Sequence, residues 1–212
     1  MLVNSLPNEN RVLVALPPSV RDRLRPSLKR VRLEAGSTLY DISSTSDHAW
    51  FITSGIVSLF AAAESGAVIE IATIGREGEA LQVDARTLQN VIRRESAFHI
   101  LLFKYMHTLS GQIAVTGACN RFHKAEQRLA RWLLTARDRV SSDSMALTHV
   151  EIGQMLGVSR SRVSLVVGAL QKKGLIHYLR GHVSILNREG LEDAACGCHR
   201  AIRRGIGWIL PP

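Results

Sequence analysis

LTHVEIGQMLGVSRSRVSLVVGALQKKGLIHYLRGHVSIL, from Leu147 to Leu186, is the stretch from which the rest of the chain can be read. Thr148 followed by Glu151 forms a capping box, in which each side chain satisfies an orphan amide at the start of a helix. That helix is predicted to run to Leu156 and to stop at Gly157, which tolerates the left-handed backbone a tight turn requires. Val158 plugs the corner, Ser159 caps a second helix from Arg160 to about Lys173, and Gly174 ends it. Ile152, Leu156, Val158, Val163, Val166 and Val167 are spaced so that the two helices share one core, with Gly153 small where they cross. Leu175–Leu179 and His182–Leu186 then read as two strands about Arg180-Gly181. A helix-turn-helix followed by a hairpin is a winged helix.

The polar face of the second helix carries the chemistry. Ser159, Arg160, Ser161, Arg162 and Ser164 cluster in its first turn and a half, where a recognition helix offers side chains to base edges. An arginine can pair bidentately with guanine O6 and N7, and a serine reaches bases or phosphates with a short arm. Lys172, Lys173 and Arg180 fall where they would meet backbone phosphates and add affinity without sequence information. The charge distribution agrees. Residues 1–120 hold twelve Lys/Arg against eleven Asp/Glu, whereas residues 121–212 hold fifteen against seven. Almost all of the net charge of +9 therefore lies in the C-terminal part, which points to a polyanionic partner, double-stranded DNA.

Upstream the grammar changes twice. A helical stretch from Glu9 to Lys29 is interrupted by Pro17-Pro18 and Pro26. From Val31 to Ile74, short β-rich runs (Trp50-Phe51-Ile52, Val57 to Phe60, Val68 to Ile74) alternate with Gly36, Gly55, Ser65-Gly66 and Gly75, and Glu64-Ser65-Gly66-Ala67 reads as a hairpin tip. Closely spaced strands of this kind predict a small antiparallel roll or sandwich. After Gly78 the pattern turns helical. Asp84 caps a helix from Ala85 to about Arg94, and Ser96 opens a longer one to about Asn120. Within it Leu102, Met106, Leu109, Ile113 and Thr116 recur at spacings of 4, 3, 4 and 3, a seam that serves either a homodimer or the chain's own core. A further helix, Lys124 to Val140, lines up Leu129, Trp132, Leu133 and Ala136, and Ser141-Ser142-Asp143-Ser144 reads as a surface loop.

With these motifs in order, the sequence resembles the Crp/Fnr family of bacterial regulators over most of its length. The match is closest at Gln154–Ser164, QMLGVSRSRVS. It is supported by the Gly55 turn after Trp50-Phe51-Ile52, by Gly75-Arg76-Glu77-Gly78, and by Glu126–Trp132. The resemblance implies an α+β chain with an N-terminal antiparallel β-roll (a truncated jelly roll, residues 1–94), a long dimerisation helix (95–120), a winged helix-turn-helix (121–199) and a tail (200–212). It makes Leu102, Met106, Leu109, Ile113 and Thr116 the dimer interface and sets a hinge near Phe122-His123. Arg160 takes the place of the family's guanine-reading arginine. Ser161 and Leu165 depart from the acidic residue and second arginine of its best-known member, so a different target sequence is expected. His149, Ser159 and Arg162 match phosphate- or base-contacting positions, and Arg180-Gly181-His182 matches another backbone contact. The implied partners are double-stranded DNA, a second copy of the chain and RNA polymerase.

The roll looks cut short. Family members that bind cyclic nucleotides carry Gly-Glu followed by Arg-Ser/Thr-Ala, whereas here Gly78-Glu79 runs straight into Ala80–Asp84, and Arg86-Thr87 falls in a predicted helix. A cyclic nucleotide phosphate needs both a positive charge and oriented backbone donors, so no response to cyclic AMP is expected. No cofactor or metal is expected either. Cys196 and Cys198, taken as lying on one helix, project about 200° apart, and no second cysteine pair completes a tetrahedral site for them and His199. An oxygen-sensing iron–sulfur cluster would need cysteines that do not occur before Cys119. His48, His99 and His107 read as surface or satisfied residues. No nucleotide-loop, hydrolase or metalloprotease motif occurs, so an enzyme is not expected. The first apolar run, Val12 to Leu16, is too short for a signal segment or a membrane span, and a cytoplasmic location is expected. The alternative that sequence leaves open is a degenerate relative that dimerises with full-length members without binding a specific DNA site.

Overall fold

The computed structural model describes residues 10–34, 37–40, 45–62, 64, 68–75, 78–140 and 142–207. They form two compact units, one gathering the described residues up to Ile56 with Gly75–Thr108, the other Val57–Ile74 with Leu109–Ile206.

In the first unit, α1 (Arg11–Val14) and α2 (Pro18–Leu24) lead through a 3-10 turn (Arg25–Ser27) into β1 (Lys29–Leu33). The expected helical stretch thus ends before Lys29, which opens a strand. Asn10 caps α1 by accepting from the amides of Val12 and Leu13, and Pro18 opens α2 at a position where its missing N–H costs nothing. Next come β2 (His48–Ile52), β5 (Gly78–Asp84) and α3 (Ala85–Arg94). β5 lies between β1 and β2, antiparallel to both, with Val31 opposite Ala80 and Phe51 opposite Leu81. Gly78 is fixed by contact. A Cβ there would lie 2.0 Å from the Ser54 carbonyl oxygen, in a corner where the amides of Thr53 and Ser54 both donate to the Glu79 carbonyl. Asp84 caps α3 as expected, accepting from the Thr87 amide. That bond to the ionised carboxylate holds its pKa below the ordinary value. Val12, Leu13, Leu16, Val20, Leu24, Phe51, Val83 and Phe98 make one core, against which Leu101, Leu102 and Tyr105 also pack.

β3 (Ile56–Ala62) and β4 (Val68–Gly75) form a separate two-stranded sheet. Gly55 precedes β3 at φ 87°, as its turn position requires. The expected hairpin tip at Ser65–Ala67 lies outside the described residues, as do Gly36 and Arg76-Glu77. Residues of this hairpin group with the C-terminal body: Asn120 Nδ2 donates to the Glu70 carbonyl at 3.5 Å.

Helix α4 runs from Ser96 to Phe122, 27 residues. After it, α5 (Ala125–Val140), β6 (Ser144–Ala146), α6 (His149–Leu156), α7 (Arg160–Lys172), β7 (Ile176–Leu179), β8 (His182–Ile185), α8 (Arg188–Ala194) and α9 (Cys198–Gly207) complete the chain. α5 is enclosed on nearly every side; Arg128 through Ala136 are all buried. Around it Leu129, Leu133, Ile152, Leu156, Val163, Val167, Leu170, Ile176, Val183 and Leu191 form the winged-helix core. Ser144, read as part of a loop, instead begins β6, which pairs with β8 to give a three-stranded sheet ordered β6-β8-β7. No described helix is long and apolar enough to cross a membrane.

Candidate nucleic-acid interface

The helix-turn-helix is held by the signals its sequence carries. Thr148 accepts from the Glu151 amide while the Glu151 carboxylate accepts from the Thr148 amide at 2.7 Å. Gly157 adopts φ 61°, ψ 41° and closes α6. Arg128 reaches across from α5 and donates to the Leu156 carbonyl at 2.6 Å, satisfying one of the orphan carbonyls at the end of α6. Gly153 is where α6 and the turn approach closely: a Cβ there would meet the Val158 carbonyl oxygen at 3.2 Å and a Val163 methyl at 3.6 Å. Ser159 caps α7 by accepting from the Arg162 amide, and its hydroxyl lies 3.0 Å from that of Ser161.

With Val163, Val166, Val167 and Leu170 turned into the core, α7 presents Arg160, Ser161, Arg162, Ser164 and Leu165 to solvent. Among the described residues no carboxylate pairs with Arg160 or Arg162. Their guanidiniums stand on the first turn of a helix, where the free amides add partial positive charge. Leu165 is 66 % exposed, an apolar side chain one turn beyond Ser161 on the same face. At the other end of the helix, roughly 18 Å along its axis, Lys172 is exposed and free of any ion pair among the described residues, whereas Lys173 pairs with Glu126 of α5. The wing turns at Arg180 (φ 47°) and Gly181 (φ 80°), the positive-φ pair of a tight hairpin. Both Arg180 and His182 are exposed there. His149 is placed differently from the other expected contacts. Its ring stacks on Tyr178 with centroids 4.7 Å apart, and its Nε2 is buried with no hydrogen-bond partner among the described residues.

On α4, Met106 is exposed, Leu109 and Ile113 are half-buried, Leu102 packs on the N-terminal core and Thr116 is buried. The exposed series runs one residue later: Phe103 (73 % exposed), His107, Ser110, Ala114 and Gly117. These keep the 4, 3, 4, 3 spacing on a face turned by about 100°. Periodicity alone does not tell a core-facing stripe from a partner-facing one. Arg86 and Thr87 lie in α3, Thr87 being engaged by the Asp84 cap, and His48, His99 and His107 are exposed.

The expected geometry of the cysteines is overturned. Cys196 does not lie on a helix with Cys198. It precedes α9, in the turn made by Gly197, and its carbonyl accepts from the His199 amide. Its sulfur is buried 3.4 Å from that of Cys119, near the end of α4. The hydrogen bond shared by the two sulfurs holds the Cys196 thiol below its ordinary pKa and the Cys119 thiol above it. Burial pushes the Cys198 thiol up.

Residues 127–194 match the Crp-like helix-turn-helix domain, and most of the chain is similar in fold to solved regulators of the Crp/Fnr type. It is similar to a transcriptional regulator of that family from Eubacterium rectale, at 15 % identity, covering 91 % of this chain and all of that one, with a TM-score of 0.65. FixK2 from Bradyrhizobium japonicum aligns at 14 % identity over 80 % of this chain and 98 % of its own, TM-score 0.70. The c-di-GMP responsive global regulator CLP of Xanthomonas campestris aligns at 16 % identity over 80 % and 99 %, TM-score 0.59. At these identities the likeness speaks for the fold. No curated protein matches by sequence.

Proposed function

We propose that the protein is a sequence-specific, DNA-binding transcription regulator that acts as a homodimer and does not respond to cyclic AMP. The observation that carries this reading is the start of α7: a serine-capped helix N-terminus with Arg160 and Arg162 exposed and unpaired among the described residues, on a scaffold matching the Crp-like domain. A degenerate winged helix serving only to dimerise would have no use for two exposed, carboxylate-free guanidiniums at that position.

In this reading the first turn of α7 enters the major groove. Arg160 reads a guanine through O6 and N7. Leu165, where the resemblance leads one to look for an arginine, meets a thymine methyl group, so the preferred half-site contains an A·T pair at that step. Arg180 and His182 on the wing and Lys172 at the far end of α7 meet phosphates. Lys173 contributes less, because it must first leave Glu126. The exposed α4 face, with Ile100, Phe103 and Met106 and then the small Ser110, Ala114 and Gly117, supports dimerisation through close helix approach. A two-fold dimer places its recognition helices about 34 Å apart on a pseudo-palindrome.

The electrophoretic mobility of a selected duplex tests the DNA reading. Binding should exceed that to random-sequence competitor and weaken steeply as salt rises; equal affinity for all duplexes would refute it. The absence of a cyclic AMP response is checked by calorimetry, where micromolar binding of the nucleotide would refute that part alone.

A further inference from the structure

We propose that Cys119, His123, Cys196 and Cys198 form a structural zinc site joining the end of α4 to the start of α9. The four donor atoms, three sulfurs and an imidazole nitrogen, all lie within 4.8 Å of one another. Cys119 and His123 are one helical turn apart and share a face; the His123 amide continues the helix by donating to the Cys119 carbonyl at 3.1 Å. Cys196 and Cys198 flank Gly197, whose turn aims both sulfurs the same way.

The separations match one tetrahedral ion. With Zn–S near 2.3 Å and Zn–N near 2.0–2.1 Å, tetrahedral geometry puts neighbouring donors about 3.6–3.8 Å apart. Cys119 Sγ to Cys196 Sγ is 3.4 Å, and Cys198 Sγ to His123 Nδ1 is 3.7 Å. A multi-iron cluster interposes its own sulfides and would spread its ligands wider. A disulfide needs about 2.05 Å between two sulfurs and would leave Cys198 and His123 converging on nothing. Three thiolates and one imidazole are a closed ligand set of the structural kind, with no position left for substrate. His199, the sequence neighbour of Cys198, is turned away: its Nε2 lies 3.1 Å from an Asp138 carboxylate oxygen.

Charge gives an independent reason. Arg128 and Arg131 are buried, at 7 % and 5 % exposure, and among the described residues neither has a carboxylate partner. Arg131 exerts its charge on Cys119 and Cys198, and Arg128 on Cys119 and Cys196. A buried cation is costly unless paired. Zn²⁺ held by three thiolates and a neutral imidazole carries a net charge of minus one, the counter-charge these guanidiniums lack. On binding, the ion displaces up to three thiol protons and takes the Nδ1 lone pair of His123; no atom changes oxidation state.

The test uses the full chain, purified under reducing conditions and equilibrated with Zn²⁺. One zinc per chain should survive dialysis against a weak chelator. Cobalt substituted for it should give thiolate-to-metal charge transfer in the near ultraviolet and intense tetrahedral d–d bands. Outer-shell losses alone cost about 10–100-fold in metal affinity, so His123→Ala and Cys198→Ser should each weaken zinc by more than about 100-fold, while His199→Gln keeps it stoichiometric. Zinc well below one per chain, a weak octahedral cobalt spectrum, or a Cys119–Cys196 disulfide forming in the presence of excess zinc would overturn the proposal. So would retention of zinc by both ligand variants. None of these outcomes bears on DNA recognition, which is measured separately.

Discussion

In residues 147–194 the helices carry their own starts and stops. Thr148, Ser159 and Asn187 cap three helices with their own side chains, and Gly157 and Gly174 end two of them in positive φ. In residues 29–84 the three-stranded sheet is specified at longer range. β1 and β2 are held in place by a third strand, β5, that arrives some thirty to fifty residues later. The contrast teaches where specification resides. The winged helix is written locally, each turn within a few residues of its cause. The N-terminal sheet exists only once distant segments meet, and its stability rests on one core that also takes in α1, α2 and the start of α4.

The largest expected effect separates the two regions. Phe98 is fully buried in the N-terminal core, and Phe98→Ala should cost about 3–5 kcal/mol. Native-state hydrogen exchange should then show protection lost in β1, β2 and β5 and kept in α5 to α8; equal loss in both would break the contrast. Next comes Arg160→Ala, expected to cost about 1–3 kcal/mol of specific DNA binding and to relax preference at one base pair. Uniform weakening on every sequence, seen in competition titrations, would make Arg160 a phosphate contact instead. Gly157→Ala puts a side chain at φ 61° and a Cβ 3.2 Å from Ile69 Cδ1. It should destabilise the C-terminal body by about 1–2 kcal/mol in denaturant unfolding, and an unchanged midpoint would contradict the left-handed turn. The smallest effects are those of the two lysines ending α7, Lys172→Ala being the larger. It should lower affinity alike for all duplexes and reduce the salt slope by about 1, whereas Lys173→Ala, losing a lysine already paired with Glu126, should change the slope less.

The same distinction explains what the amino acids disclosed unaided. Capping box, glycine turn, serine cap and wing were all legible from Leu147 to Leu186, because each is a short-range cause. β6 was not: Ser144–Ala146 is strand only because β8 lies beside it. The seam on α4 showed its period but not its direction. Leu102 and Thr116 satisfy the spacing and turn inward, Met106 of the same seam is exposed, and a second exposed series runs beside it from Phe103. The cysteine cluster joins Cys119 and His123 to residues more than seventy positions away. Two signals for it were present, the helical i, i+4 spacing of Cys119 and His123 and the helix-breaking Gly197 between Cys196 and Cys198. Reading Cys196 as helical hid both.

The central claim is that the exposed start of α7 reads base pairs. Selection of bound duplexes from a random pool, run in parallel with the parent chain and Arg160→Ala, tests it most directly. The account predicts enrichment of two inverted half-sites centred about 10–10.5 base pairs apart, with the variant losing preference at one symmetric guanine position. A pool that stays random after repeated rounds with the parent chain, or an identical consensus from both proteins, would contradict it.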